Sequence, residues 1–163
     1  MSVRLAKQVG AVLKAHGMML ATAESCTGGG IAQAITRVSG SSAWFDRGFV
    51  TYSNISKEEM LGVSLDTLQR HGAVSEETVR EMVDGVLQFS RAQVALSVSG
   101  IAGPTGGTPE KPVGTVWFAW ATNDAVRTVC HQLDGDRDAI RVKAVHIALQ
   151  GVINLLNSRT KIA

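Results

Sequence analysis

Short apolar runs of strand length alternate along this chain with longer stretches whose apolar residues return every three or four positions, and that alternation narrows its possible folds most. Leu5, Val9, Val12 and Leu13 share one face of a helix expected from about Ser2 to His16, and Met18 to Ala23 reads as the first strand. Ile31, Ala32, Ile35 and Val38 recur at helical spacing, and Trp44 to Ser53 is rich in aromatic and β-branched residues, as strands are. Ser56-Lys57-Glu58-Glu59 has the form of a capping box before Met60 and Leu61, with a second helical turn from Leu65 to Arg70 ending at Gly72. Ser75 caps a stronger helix, with Glu76 and Glu77 in its first turn and Val79, Met82, Val83 and Val86 facing a core. Val94 to Val98 is the next strand, followed by a glycine-rich loop from Gly100 to Pro112. Val113 to Thr122 and Ala125 to Leu133 then pair across an Asn123-Asp124 turn. A helix from about Asp136 to Asn157 closes the chain, with Ser158 to Ala163 expected to fray. Such an order implies an α/β fold, a three-layer α/β/α sandwich with a mixed sheet.

With 163 residues, 45% of them hydrophobic, the chain fills one well-buried core and falls short of two ordinary domains, so a single domain over residues 1–163 is expected. Its 16 Lys/Arg and 14 Asp/Glu are scattered without a block of like charge, and aromatics make up 5%, so nucleic acid is a poor candidate partner. Cys26 and Cys130 lie far apart with no C-x-x-C pair, which suggests neither a metal site nor a disulfide framework and fits a reducing cytoplasm. Lys7, Lys14 and His16 interrupt the first apolar face, so it is neither a signal peptide nor a membrane span. Trp44, Phe45, Trp117 and Trp120 offer material for an interface as readily as for a core, and a homo-oligomer is expected.

Chemistry gathers at T-A-E-S-C-T-G-G-G, Thr22 to Gly30, where a hydroxyl and a thiol sit side by side between a strand and a helix. Backbone N–H groups at a helix start favour developing negative charge, so Ser25 and Cys26 are both candidate nucleophiles there. A nucleophile needs a base, and His16, His71, His131 and His146 lie in no catalytic motif; surface or capping roles suit them better. Lys57 is the other candidate. With Ser56 as N-cap, Lys57 becomes the first helical residue, where the dipole disfavours its ammonium. Bringing a lysine from about 10.4 to near 7 takes roughly 4 to 5 kcal/mol. A helix end supplies about 0.3 to 1 and at best about 2 kcal/mol, so burial has to do the rest. Tyr52, the only tyrosine, stands five residues earlier and either relays a proton or anchors the strand end.

The loop Gly100-Ile101-Ala102-Gly103-Pro104-Thr105-Gly106-Gly107 has the glycines of an anion-binding loop, since Gly100, Gly103, Gly106 and Gly107 let N–H groups converge on a phosphate. It is neither a Walker loop nor a dinucleotide fingerprint, and an irregular connection is the plain alternative. Arg137 and Arg141, one helical turn apart, either clamp a phosphate or pair with Asp134, Asp136 or Asp138.

T-A-E-S-C-T-G-G, G-S-S-A-W-F (Gly40 to Phe45), G-F-V-T-Y-S-N (Gly48 to Asn54), S-G-I-A-G-P (Ser99 to Pro104) and K-P-V-G-T-V (Lys111 to Val116) follow one another over most of the chain. In that combination the chain resembles the CinA C-terminal domain family, whose active members are nicotinamide-nucleotide amidohydrolases. The resemblance implies hydrolysis of the carboxamide of nicotinamide mononucleotide to nicotinate mononucleotide and ammonia, a step of pyridine-nucleotide salvage, with no metal and no other cofactor. It also implies Ser25 as nucleophile with Lys57 and Tyr52 as activating partners. Many members carry a separate N-terminal nucleotide-hydrolase domain, and that second activity is not expected of this chain.

An amide under attack needs an alkoxide, donors for the oxyanion and an acid for the departing ammonia. Ser25 supplies the first, N–H groups of Thr27, Gly28 and Gly29 are candidates for the second, and Lys57, directly or through Tyr52, returns the proton to nitrogen. Two other readings stay open: a catalytically silent module that binds a nucleotide or a partner, and a Ser/Lys amidase for a different small amide.

Overall fold

The computed structural model describes residues 3–162. Its core is a five-stranded sheet in the order β2-β1-β3-β4-β5. The strands are β1 (Leu20–Glu24), β2 (Phe45–Val50), β3 (Val94–Gly100), β4 (Thr115–Thr122) and β5 (Ala125–Gln132). β1 runs parallel to β2 and β3, and β3, β4 and β5 are successively antiparallel, so the sheet is mixed as the alternation implies. β1 is buried throughout and β3 as far as Ser99, because both of their faces are covered.

Helices α1 (Val3–Ala15), α2 (Gly30–Thr36) and α6 (Arg137–Ile162) cover one face of the sheet. There Leu5, Val9, Leu13 and Ile35 pack with Leu20, Leu96, Phe118 and Leu149. The other face carries α3 (Asn54–Leu61), α4 (Leu65–His71) and α5 (Glu76–Gln88). Its sheet residues are small, Ala21, Ala23, Ala95, Ala119 and Ala121, so Val79, Met82 and Val83 of α5 sit close to the strands. Trp44 and Trp120 belong to the core, with Phe45 and Trp117 partly buried against it.

Several element boundaries differ from the sequence expectations; the second strand, for example, is Phe45–Val50 within the expected Trp44 to Ser53. The first helix spans Val3–Ala15; Ser2, its expected start, lies outside the described residues. β4 begins at Thr115 because Gly114, at φ +94°, turns the chain and donates to Ile101 O at 2.7 Å. α3 is capped by Ser53, whose hydroxyl accepts from Ser56 N at 3.1 Å, so Ser56 lies inside the helix. α6 continues to Ile162 instead of stopping at Asn157, so Ser158 to Ile162 are helical; Ala163 is outside the described residues. By length and composition α6 passes for a membrane span over Arg137–Arg159, yet 50% of its apolar 18-residue window is buried within the fold. Trp120 Nε1 donates to Ala148 O at 2.8 Å, and its ring leaves no room for a side chain at Gly151, which binds the helix to β4.

Candidate active site

From β1 the chain passes through α2 to β2 on one side, then through α3, α4 and α5 to β3 on the other. Connections therefore part at the carboxyl end of β1, and such a switch point opens a crevice where α/β proteins bind ligands. Ser25 is the first residue beyond β1, and its amide donates to Val98 O of β3 at 3.1 Å. By strand alternation it continues the face of Ala21 and Ala23, toward α3 and α5.

Lys57, the fourth residue of α3, reaches the same point. It is 1% exposed. Its Nζ lies 2.9 Å from Ser25 Oγ, 2.8 Å from Thr51 O and 3.1 Å from Tyr52 O. Burial lowers its pKa from 10.5 to about 8. Lys57 thus stands three residues further into the helix than the Ser56 cap implied, and burial is the main cause of its shift. As an ammonium it donates to all three oxygens. As a neutral amine it keeps two N–H groups on the carbonyls of Thr51 and Tyr52, which aims its lone pair at the Ser25 hydroxyl.

Tyr52 takes part through its main chain. Its carbonyl accepts from Lys57 and, at 3.4 Å, from Ser25 Oγ, while its phenol is exposed and accepts from Arg137 at 3.3 Å. Arg137 also donates to Gly103 O at 2.8 Å. Around these residues lies a cavity of about 350 Å³, whose walls include Ser25, Lys57, Tyr52, Ser99 and Arg137. Gly100, Gly103 and Gly106 complete it from the loop after β3. Gly103 and Gly106 have φ of +77° and +94°, a conformation that favours glycine. Gly107 is not on the wall; a side chain there would meet the backbone nitrogen of Val113, so this glycine serves the loop's own packing.

Thr27, Gly28, Gly29 and Arg141 stand behind the turn after β1 instead of lining the cavity. α2 begins only at Gly30, after Gly28 and Gly29 at φ +59° and +100°. Its start is already filled. The Glu24 carboxyl accepts from Ile31 N at 2.8 Å, Ala32 N at 3.1 Å and Thr27 Oγ1 at 2.6 Å. The amides of Gly28 and Gly30 close turns onto Ser25 O and Thr27 O. Arg141 binds Cys26 O at 3.0 Å and Thr27 O at 3.3 Å, so it braces the turn from α6. Neither arginine takes the aspartate partners considered from sequence; Asp136 caps α6 by accepting from Ala139 N at 2.9 Å. Glu24 had escaped notice, although a lone acidic residue inside an apolar strand just before a glycine turn is a legible sign of a buried cap.

Cys26 shares the cavity wall with Ser25 but differs in chemistry. Burial raises its thiol to about 11, above the ordinary 9.0, so it stays protonated near neutrality.

The family model described as the CinA C-terminal domain matches residues 2–156. The chain belongs to the CinA C-terminal domain family. Among its CinA relatives, the nicotinamide-nucleotide amidohydrolase PncC of Enterobacter agglomerans is 60% identical over 147 residues, covering 90% of each protein. The Escherichia coli K12 protein of the same name is 57% identical over 151 residues, 91% of this chain and 90% of that protein. Among solved structures, a CinA superfamily protein of Klebsiella pneumoniae is 40% identical with a TM-score of 0.92, covering 96% of this chain and 98% of that one. The CinA fold is therefore an α/β fold with helices on both faces of a mixed five-stranded sheet, as this chain has.

Proposed function

We propose that this protein hydrolyses the carboxamide of nicotinamide mononucleotide to nicotinate mononucleotide and ammonia, with Ser25 as nucleophile and Lys57 as base. The observation that carries this reading is the buried Lys57 Nζ, 2.9 Å from Ser25 Oγ and held by two main-chain carbonyls. The names of the relatives at 60% and 57% identity support the substrate.

Neutral Lys57 takes the Ser25 proton directly as Oγ attacks the carboxamide carbon. Tyr52 contributes its carbonyl to the base, and its phenol pairs with Arg137 at the cavity. The oxyanion forms beside the amide of Cys26, the residue after the nucleophile. The ammonium of Lys57 then gives its proton to the leaving nitrogen, ammonia departs, and water attacks the ester with Lys57 again as base. Arg137 and the loop from Gly100 to Gly106 receive the phosphate, the one a cation and the other a chain of small residues that admits close approach. No metal or other cofactor enters these steps. The reaction is assigned to pyridine-nucleotide salvage in the cytoplasm.

Incubation of the purified protein with nicotinamide mononucleotide, nicotinamide riboside and nicotinamide, with ammonia measured, tests the reading. Release from the phosphorylated compound alone is expected. Equal release from all three would point to an amidase for a different amide, and none from any to a binding module.

A further inference from the structure

Ser99 carries a hydroxyl that neither the fold nor the Ser25–Lys57 pair uses. It is 1% exposed, lies on the wall of the active-site cavity and makes no side-chain hydrogen bond among the described residues. Strand pairing fixes its position. Glu24 of β1 is opposite Val98 of β3, so Ser25 and Ser99 come next, side by side on strands about 4.8 Å apart. Two residues earlier on the same face of β3, Ser97 Oγ donates to Val79 O of α5 at 2.8 Å. One step further along that face, Ser99 passes the start of α5 and meets the cavity.

Attack on an amide concentrates charge on its oxygen, and an effective site aims preorganised donors there. Several main-chain donors next to Ser25 are already engaged. The first amides of α2, at Ile31 and Ala32, are taken by Glu24, and those of Gly28 and Gly30 close turns. Across the cavity, β3 pairs with β4 as far as Gly100, and the Ile101 amide donates to Thr115 O at 2.9 Å. Thr27 faces a separate hollow with Arg37 and Arg141. The Cys26 amide stands on the side of Ser25, and the Ser99 hydroxyl lies beside it on the neighbouring strand.

We propose that Ser99 is a catalytic residue whose hydroxyl is the second oxyanion donor, paired with the Cys26 amide. Resting on the amidase reading above, the step is a hydrogen bond only. Ser25 Oγ bonds to the carboxamide carbon, the carbonyl electron pair moves to oxygen, and Ser99 donates to that oxygen while keeping its proton. When the pair returns, the carbon–nitrogen bond breaks and ammonia leaves with the proton held by Lys57. A hydroxyl without a partner in the resting protein is free for this task, and its burial strengthens the bond by excluding water.

Steady-state kinetics of wild type and Ser99→Ala with nicotinamide mononucleotide, together with thermal unfolding of both, test the proposal. The variant is expected to lose about 10²- to 10³-fold in kcat with KM within about threefold of wild type. Its unfolding midpoint should stay close to that of wild type, since the hydroxyl borders the cavity and makes no hydrogen bond to the fold. A kcat within about threefold of wild type, or a raised KM with kcat kept, would overturn the role in the transition state. Loss of the fold would overturn it as well, because the hydroxyl would then serve the structure. Failure of the wild type itself to release ammonia is a different result, and it would sink the amidase reading first.

Discussion

Lys57 Nζ lies 2.9 Å from Ser25 Oγ although the two residues stand 32 positions apart in the chain. The thiol of Cys26, next to Ser25, is instead raised to about 11 by burial. Ser25→Ala should therefore abolish ammonia release from nicotinamide mononucleotide, whereas Cys26→Ala should keep most of it. The opposite pattern in one assay would move the nucleophile to the thiol.

With Lys57 as base, the activity should have an acid limb. With its pKa lowered to about 8, about a tenth of Lys57 is neutral at pH 7, so kcat/KM should rise with pH and level off above about 8. Lys57→Met should cost about 10²- to 10⁴-fold and remove that limb. Stability has its own sign. Between about pH 8 and 10.5 the unfolded chain holds one more proton at this lysine than the folded protein, so folding gains with pH across that window. Below it, the folded state bears the whole cost of a buried ammonium. Denaturant unfolding of wild type and Lys57→Met at pH 7 and pH 10 should show wild type gaining on the variant at the higher pH.

Glu24 joins β1 to α2 through three hydrogen bonds. Glu24→Gln puts an NH₂ group against one of the donors it now satisfies, and should destabilise by about 1 to 3 kcal/mol in urea unfolding. Activity should fall with it, because the same turn carries Ser25. A variant with unchanged stability would show that the turn holds without this cap.

Arg137 bridges Gly103 O and the Tyr52 hydroxyl at the mouth of the cavity. If it receives the phosphate, Arg137→Ala should raise KM for nicotinamide mononucleotide by roughly 10- to 100-fold and leave kcat within a few-fold. Preference over nicotinamide riboside should shrink by the same factor. Arg141→Ala should act otherwise, lowering stability through the freed carbonyls of Cys26 and Thr27 without erasing that preference.

Much of this architecture is written locally. The apolar run of β1, the 3.6-residue period of α1 and the Ser75 cap of α5 each declare themselves within a dozen residues, because period and capping are short-range properties. Ser53 and Ser56 show the limit of such signals. Both can cap a helix, and only the fold, which carries β2 straight into α3, selects Ser53.

The sequence by itself determined an α/β fold with a reactive turn after its first strand, and it marked Ser25, Lys57 and Tyr52 as residues to watch. Tertiary structure decided what each one touches. Strand order puts β1 between β2 and β3, so Lys57, from the helix after β2, reaches Ser25 while β3 runs alongside, and no spacing along the chain encodes that. It also gave the helix start to Glu24, the back of the turn to Arg141 and the cavity to Arg137. Hydrogen bonds act over about 3 Å in space whatever the separation in sequence, so the assignment of partners waits on the fold.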